Sequence, residues 1–227
     1  MTKINVAIDG PSGAGKSSIS SEIAKKYNLT FVNTGTFYRT IAFYFYLKYG
    51  NDLNILKDKD TVLKQWKMEY ITLEKDGTIL LNGFDYSTRL RNDFISRGAS
   101  IIGTHKEIRK QIVDFLQMYS KKEKGFIMEG RDTTFSILPH AELKIFLWAS
   151  PEIRAKRRVK QNKELNISED YEKVLEAIKQ RDFLDENRKI DPLHQTEDSI
   201  LVDSTNMTMS EVIEFISNLI EEKINVK

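Results

Sequence analysis

The 227-residue chain contains no cysteine. Disulfides, thiolate metal sites and thiol nucleophiles are therefore excluded, and the composition is compatible with a reducing cytoplasm. Histidine is scarce as well: His105, His140 and His194 lie scattered without the spacing of a metal site, which points to structural or surface roles. No apolar run approaches the ~20 residues of a membrane span, and neither an internal repeat nor a low-complexity linker is present. A surplus of charge is missing too. Lys and Arg number 35 against 33 Asp and Glu, and the net charge of +2 is too small to mark a nucleic-acid binder. With a functional loop beginning at Gly10, no secretory leader is expected ahead of it.

What is present is 40% apolar and 30% charged residues, usual for a soluble globular protein. The length suffices for one well-buried α/β core and allows a second small lobe. Ile4 to Ile8 reads as a short apolar strand, ended by Asp9-Gly10-Pro11. A helix is predicted from Lys16 to Lys26, with Ile19, Ile23 and Ala24 on one face. A strand over Leu29–Val32 follows, then an aromatic-rich helix over Thr36–Tyr49 closed by Gly50-Asn51. This alternation points to a parallel sheet with helices on its faces.

The rhythm breaks where Tyr70–Leu73 and Thr78–Leu81 flank Asp76-Gly77, a strong hairpin signal and hence an antiparallel insertion. Helices over Asp93–Ile102 and Lys106–Tyr119 come next. The α/β pattern then returns with strands over Phe126–Glu129, Leu143–Trp148 and Ile200–Asp203, and helices over Pro151–Gln161, Ser168–Asn187 and Ser210–Glu222. The polar stretch from Gln161 to Asp170 reads as a mobile loop. Phe43 to Tyr46 read as packing, and Lys121, Lys122 and Lys124 as a solvated basic turn.

Gly10-Pro11-Ser12-Gly13-Ala14-Gly15-Lys16-Ser17 satisfies the phosphate-loop pattern, two glycines separated by four residues and followed by Lys and Ser. Glycines let successive N–H groups turn inward into a concave anion site. The helix beginning at Lys16 points its positive end at the same place. Lys16 supplies a cation for the β- and γ-phosphates, and the Ser17 hydroxyl can ligate Mg²⁺. The loop fixes a nucleoside triphosphate but not a reaction. A switch GTPase would need a guanine-reading Asn-Lys-x-Asp segment, which is absent, and a large ATPase would need more chain; a small kinase fits.

Further motifs run almost end to end: IDGPSGAGKSS at 8–18, NTGTFYR at 33–39, NGFDYSTRLR at 82–91, Ser100 with Arg109, EGRD at 129–132, KIFLWAS at 144–150 with RAKRR at 154–158, and RDFLDENR at 181–188. In this number and order they resemble the bacterial cytidylate kinases. The resemblance implies a single P-loop kinase domain with its core at 1–57 and 120–227. It also implies a monophosphate-binding insertion at about 58–119 and a helical lid at about 157–170. It implies phosphoryl transfer from ATP to CMP or dCMP with Mg²⁺, in a monomeric cytoplasmic enzyme without nucleic-acid or membrane partners. ATP would be held by Gly10 through Ser18, with Arg157 and Arg158 closing over its phosphates. Thr34 and Arg39 would bind the acceptor nucleotide, while Ser100, Arg109 and Asp132 read the cytosine. Arg39, Arg131 and Arg188 would hold the acceptor phosphate, completed by Arg181 and, on the ribose side, Asp185. Lys16, Arg131, Asp132 and Arg188 are the catalytic candidates.

Elementary chemistry agrees. A monophosphate, with a second pKa of about 6, is already largely dianionic near neutral pH. It needs no strong general base, only cations that bring two anions together, and guanidinium groups stay charged and bind phosphate through paired hydrogen bonds. Arg181, Asp185 and Arg188, at i, i+4 and i+7, are expected on one helix face, where the Asp holds the guanidiniums or takes a sugar hydroxyl. The competing reading is a surface ion-pair ladder. Arg154, Arg157 and Arg158 share a face and read either as lid residues or as a solvated surface. The family pattern departs at Thr133-Thr134-Phe135, where an apolar residue, Gly and Thr are usual, and mildly at Lys16-Ser17-Ser18. Loss of that glycine restricts the backbone beside the acceptor phosphate. Two alternatives stay open: another small acceptor such as UMP, and a nucleotide-binding protein with little turnover.

Overall fold

The computed structural model describes residues 3–90, 92–164 and 170–225. In chain order the elements are β1 (Val6–Asp9), α1 (Lys16–Tyr27), β2 (Thr30–Asn33), α2 (Thr34–Tyr49), α3 (Asn54–Lys57), α4 (Lys59–Gln65), β3 (Ile71–Leu73), β4 (Ile79–Leu81) and β5 (Phe84–Asp85). They continue with α5 (Asp93–Ile102), α6 (Lys106–Lys122), β6 (Phe126–Gly130), a single π-helical turn (Thr133–Ile137), β7 (Leu143–Trp148), α7 (Pro151–Glu164), α8 (Tyr171–Asn187), β8 (Ile200–Asp203) and α9 (Met209–Asn225). The chain forms two compact units, one of Met1–Leu29 with Lys124–Lys227, the other of Thr30–Glu123.

In the first unit every residue of β1 and β6 is buried, as expected of strands covered on both faces of a parallel sheet. β1 runs parallel to β6 on one side and to β7 on the other, and β7 is in turn parallel to β8. Opposite β1, the register sets Ile8 against Glu129 and Asp9 against Gly130. The carboxyl ends of β1 and β6 therefore emerge together, and the segments that follow them rise from one edge of the sheet. The Tyr27 hydroxyl of α1 donates to Glu221 of α9 at 2.8 Å. α8 starts on a side-chain cap, the Asp170 carboxylate accepting from the N–H groups of Glu172 and Lys173.

Sequence and structure differ here in two ways. α7 persists to Glu164, so Gln161 to Glu164 are helical rather than loop. The rest of that polar stretch, residues 165–169, lies outside the described residues, as do the start of the helix expected at Ser168, part of the expected lid, and Arg91 of the 82–91 motif. Arg188 sits beyond the last turn of α8 with extended backbone (φ −65°, ψ 145°), not on its face. The helix stops because the Asp185 carbonyl is taken by the Leu193 N–H as the chain turns back through Asp191, at φ 46°, and Pro192.

In the second unit β3 and β4 pair antiparallel around the Asp76-Gly77 turn, and β5 adds a third strand too short to read from sequence. The turn is a three-residue loop. Glu74 and Thr78 close it at 2.8 Å, and Gly77 takes φ 89°, as such hairpins require. A side chain at Gly77 would meet the Phe31 carbonyl oxygen at 2.0 Å. Phe43 to Tyr46 pack as expected, Phe43 and Phe45 buried and Tyr44 and Tyr46 half-buried: Tyr44 lies 5.5 Å from the Trp66 ring and 5.4 Å from Tyr70, and Phe43 5.0 Å from Tyr86. α5 begins on Asn92, whose side chain accepts from the Ile95 N–H. Among the described residues no helix is long and apolar enough to cross a membrane.

Gly77→Ala combines backbone strain with a carbonyl collision, so it should destabilise by about 2 kcal/mol or more. A thermal melt should show Tm lowered by roughly 4–8 °C; an unchanged Tm would mean the hairpin tip does not need this conformation.

Candidate active site

β1 hands the chain into the phosphate loop through Gly10, Gly13 and Gly15, at φ 150°, 80° and 97°. The requirement is strictest at Gly10, where a Cβ would lie 2.0 Å from the Leu147 carbonyl oxygen of β7. Pro11, Ala14 and Lys16 are buried, whereas Ser17 and Ser18 are exposed at the start of α1. The Lys16 ammonium folds back onto the loop and donates to the carbonyls of Gly10 (2.6 Å) and Pro11 (2.8 Å). Burial, reinforced by the like charge of Arg131, pulls its pKa down to about 7 against the pull of Glu129, Asp9 and Asp185.

Two buried carboxylates border the loop. Glu129, from β6, accepts from the Ser17 hydroxyl at 2.6 Å. Asp9, the last residue of β1, accepts from the N–H groups of Thr133 (2.8 Å) and Thr134 (2.7 Å) and from the Thr134 hydroxyl (2.7 Å). Ser17 and Glu129 offer a hydroxyl and a carboxylate at one spot, hard oxygens of the kind that share Mg²⁺ with phosphates and water. Among the described residues no group of three or more His, Cys, Asp or Glu could hold a metal by itself.

Beside the loop, Arg131 donates through Nε to Asp185 at 2.7 Å and through Nη1 to the Gly130 carbonyl at 3.1 Å. Although burial opposes its charge, Asp185 raises the guanidinium pKa further. Burial likewise works against the Asp185 carboxylate, but Arg131, Arg181 and Arg188 together hold its pKa below the usual carboxylate range. Arg181, one turn earlier on α8, reaches Asp185 at 3.3 Å. Arg188 donates to the Asp191 carbonyl at 2.6 Å and pairs with Asp132 at 3.7 Å. The structure thus brings Lys16, Arg131, Asp132, Arg181, Asp185 and Arg188 into linked charge contacts within one unit.

The α7 arginines part company. Arg154 is buried, paired with Asp182 of α8 through both terminal guanidinium nitrogens and bonded to the carbonyls of Ala149 (2.8 Å) and Ser12 (3.0 Å). It ties the phosphate loop to α8, so its guanidinium is not on a solvated helix face. Arg157 donates to the carbonyls of Ser204 (2.7 Å) and Met207 (3.3 Å), while Arg158 is exposed.

In the second unit Arg109 of α6 is buried, 5.7 Å above the Tyr38 ring, and reaches the Gly103 carbonyl at 3.4 Å. Ser100, exposed on α5, donates to its own helix at Ser96 (3.1 Å). Thr34 is buried at the start of α2. Arg39, one turn on, donates to Asn33 and Thr36, both at 3.1 Å.

A sequence model of the family described as cytidylate kinase matches residues 6–222. The chain belongs to the cytidylate kinase family. A cytidylate kinase of Mesomycoplasma hyopneumoniae (strain 232) is 47% identical over 222 residues, covering 98% of this chain and 95% of its own. One of Mycoplasmopsis synoviae (strain 53) is 47% identical over 219 residues, covering 96% and 99%. The Bacillus subtilis (strain 168) cytidylate kinase is 37% identical over 221 residues, covering 97% and 98%. A solved structure of an uncharacterized protein from Eubacterium ventriosum ATCC 27560 superposes with a TM-score of 0.56 at 12% identity, covering 96% and 99% of the two chains; it shows the fold alone.

For this cytidylate kinase family member, sequence reasoning missed Asp9, Glu129, Tyr38 and the Arg154–Asp182 pair. Asp9, Glu129, Tyr38 and Arg154 all stand inside motifs already singled out. Such a buried or neighbouring polar residue within a phosphate-binding motif was the available signal.

Because the Lys16 pKa falls from 10.5 to about 7, the folded free protein binds fewer protons than the unfolded chain between those values. The contribution of this group to stability therefore rises with pH across that window and is lost on acidification toward 7. Phosphate at the loop restores the ammonium. ATP titrated calorimetrically at about pH 8, in buffers of different ionisation heat, should show uptake of up to about one proton. The lysine's share of this uptake should fade toward about pH 6, and ATP binding without proton uptake at the higher pH would refute the assignment.

Proposed function

We propose that this protein transfers the γ-phosphate of ATP to CMP or dCMP, giving ADP and CDP or dCDP. The observation that carries the reading is the charge cluster: a phosphate loop with buried Lys16 beside Arg131, Arg181 and Arg188, whose guanidiniums are oriented by Asp185 and Asp132. Family membership supplies the acceptor class.

In this reading the backbone N–H groups of Gly10 through Ser18 and the Lys16 ammonium hold the ATP phosphates, with Arg157 and Arg158 on the lid side. Arg39, Arg131 and Arg188 hold the acceptor phosphate, and Arg181 completes the set. Charge spreads over the equatorial oxygens of the transferring group, so donors fixed beforehand stabilise it without reorganising. The Asp185 carboxylate fixes Arg131 and Arg181, the first of its two expected roles, and the geometry supports it. Thr34, Ser100, Arg109 and Asp132 contact the acceptor nucleoside; a guanidinium, a hydroxyl and a carboxylate suit a pyrimidine edge bearing an exocyclic amine. Ser17 and Glu129 are the residues that would hold Mg²⁺, which when bound neutralises phosphate charge. The proposed division keeps the insertion at about 58–119 and the lid at about 157–170, and the compartment is the cytoplasm.

A coupled assay for ADP release with ATP, Mg²⁺ and each nucleoside monophosphate tests this. Release should be strongest with CMP or dCMP; a different preferred monophosphate would keep the kinase and discard the base-reading roles. Arg39→Ala and Arg188→Ala should each lower kcat/KM for CMP by about 100-fold or more, with ATP binding changed only a few-fold. Unchanged CMP kinetics in both would remove those residues from the acceptor site.

A further inference from the structure

The chemistry above leaves Asp9 without a role, although it is fully buried and stands directly before Gly10. Its carboxylate is spent on one partner, the turn that follows Arg131 and Asp132. One oxygen accepts from the Thr133 N–H, the other from the Thr134 N–H and hydroxyl, all at 2.7–2.8 Å. The turn closes on itself as a π-helix, the Asp132 carbonyl accepting from Ile137 (3.3 Å) and that of Thr133 from Leu138 (2.8 Å). On its far side the Phe135 ring lies 4.4 Å from the ring of His194, in the segment that also carries Arg188 and Asp191. Thr134 therefore adds a third hydrogen bond that a glycine could not supply. It does so without left-handed backbone, which among the described non-glycine residues occurs only at Asn28, Asn82 and Asp191. The restriction expected from losing the glycine carries no strain at this position.

We propose that Asp9 and Thr134 are positioning residues for phosphoryl transfer. Their hydrogen bonds fix the Arg131–Asp132 turn against the strand that enters the phosphate loop. A rigid link of this kind sets the spacing between the loop that grips the donor and the guanidinium that receives the acceptor. The Asp9 charge also favours the ammonium of Lys16 and the guanidinium of Arg131. The inference rests on the kinase reading above.

Steady-state kinetics and thermal melts of Asp9→Asn, Thr134→Val and Thr134→Ser decide it. Thr134→Val keeps the shape and deletes the hydroxyl. It should lower kcat about tenfold, since small misplacements in such sites are costly, with KM for ATP within about twofold because the loop backbone is untouched. Thr134→Ser restores the hydroxyl and should recover kcat to within about twofold of the parent. Asp9→Asn should follow Thr134→Val. If Asp9→Asn does not fold, the Thr134 pair decides alone. A lowered Tm with parental kcat and KM, or equal loss in Val and Ser variants, would make the brace purely structural and overturn the proposal. Parent turnover with CMP is the separate check on the kinase reading. Should another monophosphate prove the acceptor, the same variants are compared on that compound, so the two failures are told apart.

Discussion

Cations have to be buried next to one another where phosphates bind, and the arrangement of the first unit follows from that constraint. Lys16 and Arg131 repel one another, and burial penalises both. Arg131 withstands this because Asp185 bonds it directly at 2.7 Å. Lys16 is bonded to two neutral carbonyls and feels its carboxylates only at a distance, so its pKa yields. Asp9, Glu129 and Asp185 thus stand as counter-charges inside the site. A carboxylate removed from such a cluster would leave a buried cation uncompensated, which costs more than the lost attraction.

The parallel sheet makes this concentration of charge possible. Register pairs Asp9 with Gly130, so the residues after β1 and those after β6 leave the sheet side by side at its carboxyl edge, where α/β folds bind ligands. From β1 comes the loop with Lys16 and Ser17; from β6 come Glu129, Arg131 and Asp132. α8 closes the cluster through two acidic residues three apart. Asp182 pairs with Arg154, which also holds the Ser12 carbonyl of the loop, and Asp185 pairs with Arg131. One helix is therefore tied to both segments that carry the cations.

How far these features could be read from sequence depends on how local their causes are. The phosphate loop was legible because glycine spacing and the following helix belong to one unbroken stretch of sequence. The hairpin was legible from Asp76-Gly77 for the same reason. β5 escaped because two residues carry no period. The bonds from Ser17 to Glu129 and from Thr134 to Asp9 span 112 and 125 residues, and sequence offered only the motifs that hold each end. Arg188 was misplaced by spacing alone: i+7 implied a helix face, yet the helix ends at Asn187 and Asp191 turns the chain in left-handed backbone. Pro192 was the stop signal within reach. Arg154 was read with its neighbours as a lid residue or part of a solvated face, and only the three-dimensional position of Asp182 separates it from Arg157 and Arg158.

The site mixes two kinds of cation, and the difference has a chemical consequence. Arginine keeps its proton throughout the accessible pH range, and pairing with Asp185 strengthens that hold on Arg131. Lysine, a compact and strongly hydrated charge that gives up its proton readily when buried, sits at the loop with a pKa near 7. The guanidiniums proposed for the acceptor are therefore charged whether or not ligand is present, whereas Lys16, the loop's own cation for the donor, becomes fully charged only as phosphates arrive. A monophosphate is a weaker anion than a triphosphate and gains most from guanidiniums already charged. A triphosphate brings enough negative charge to restore the proton on Lys16 itself, so the buried lysine need not be held fully charged in the free protein.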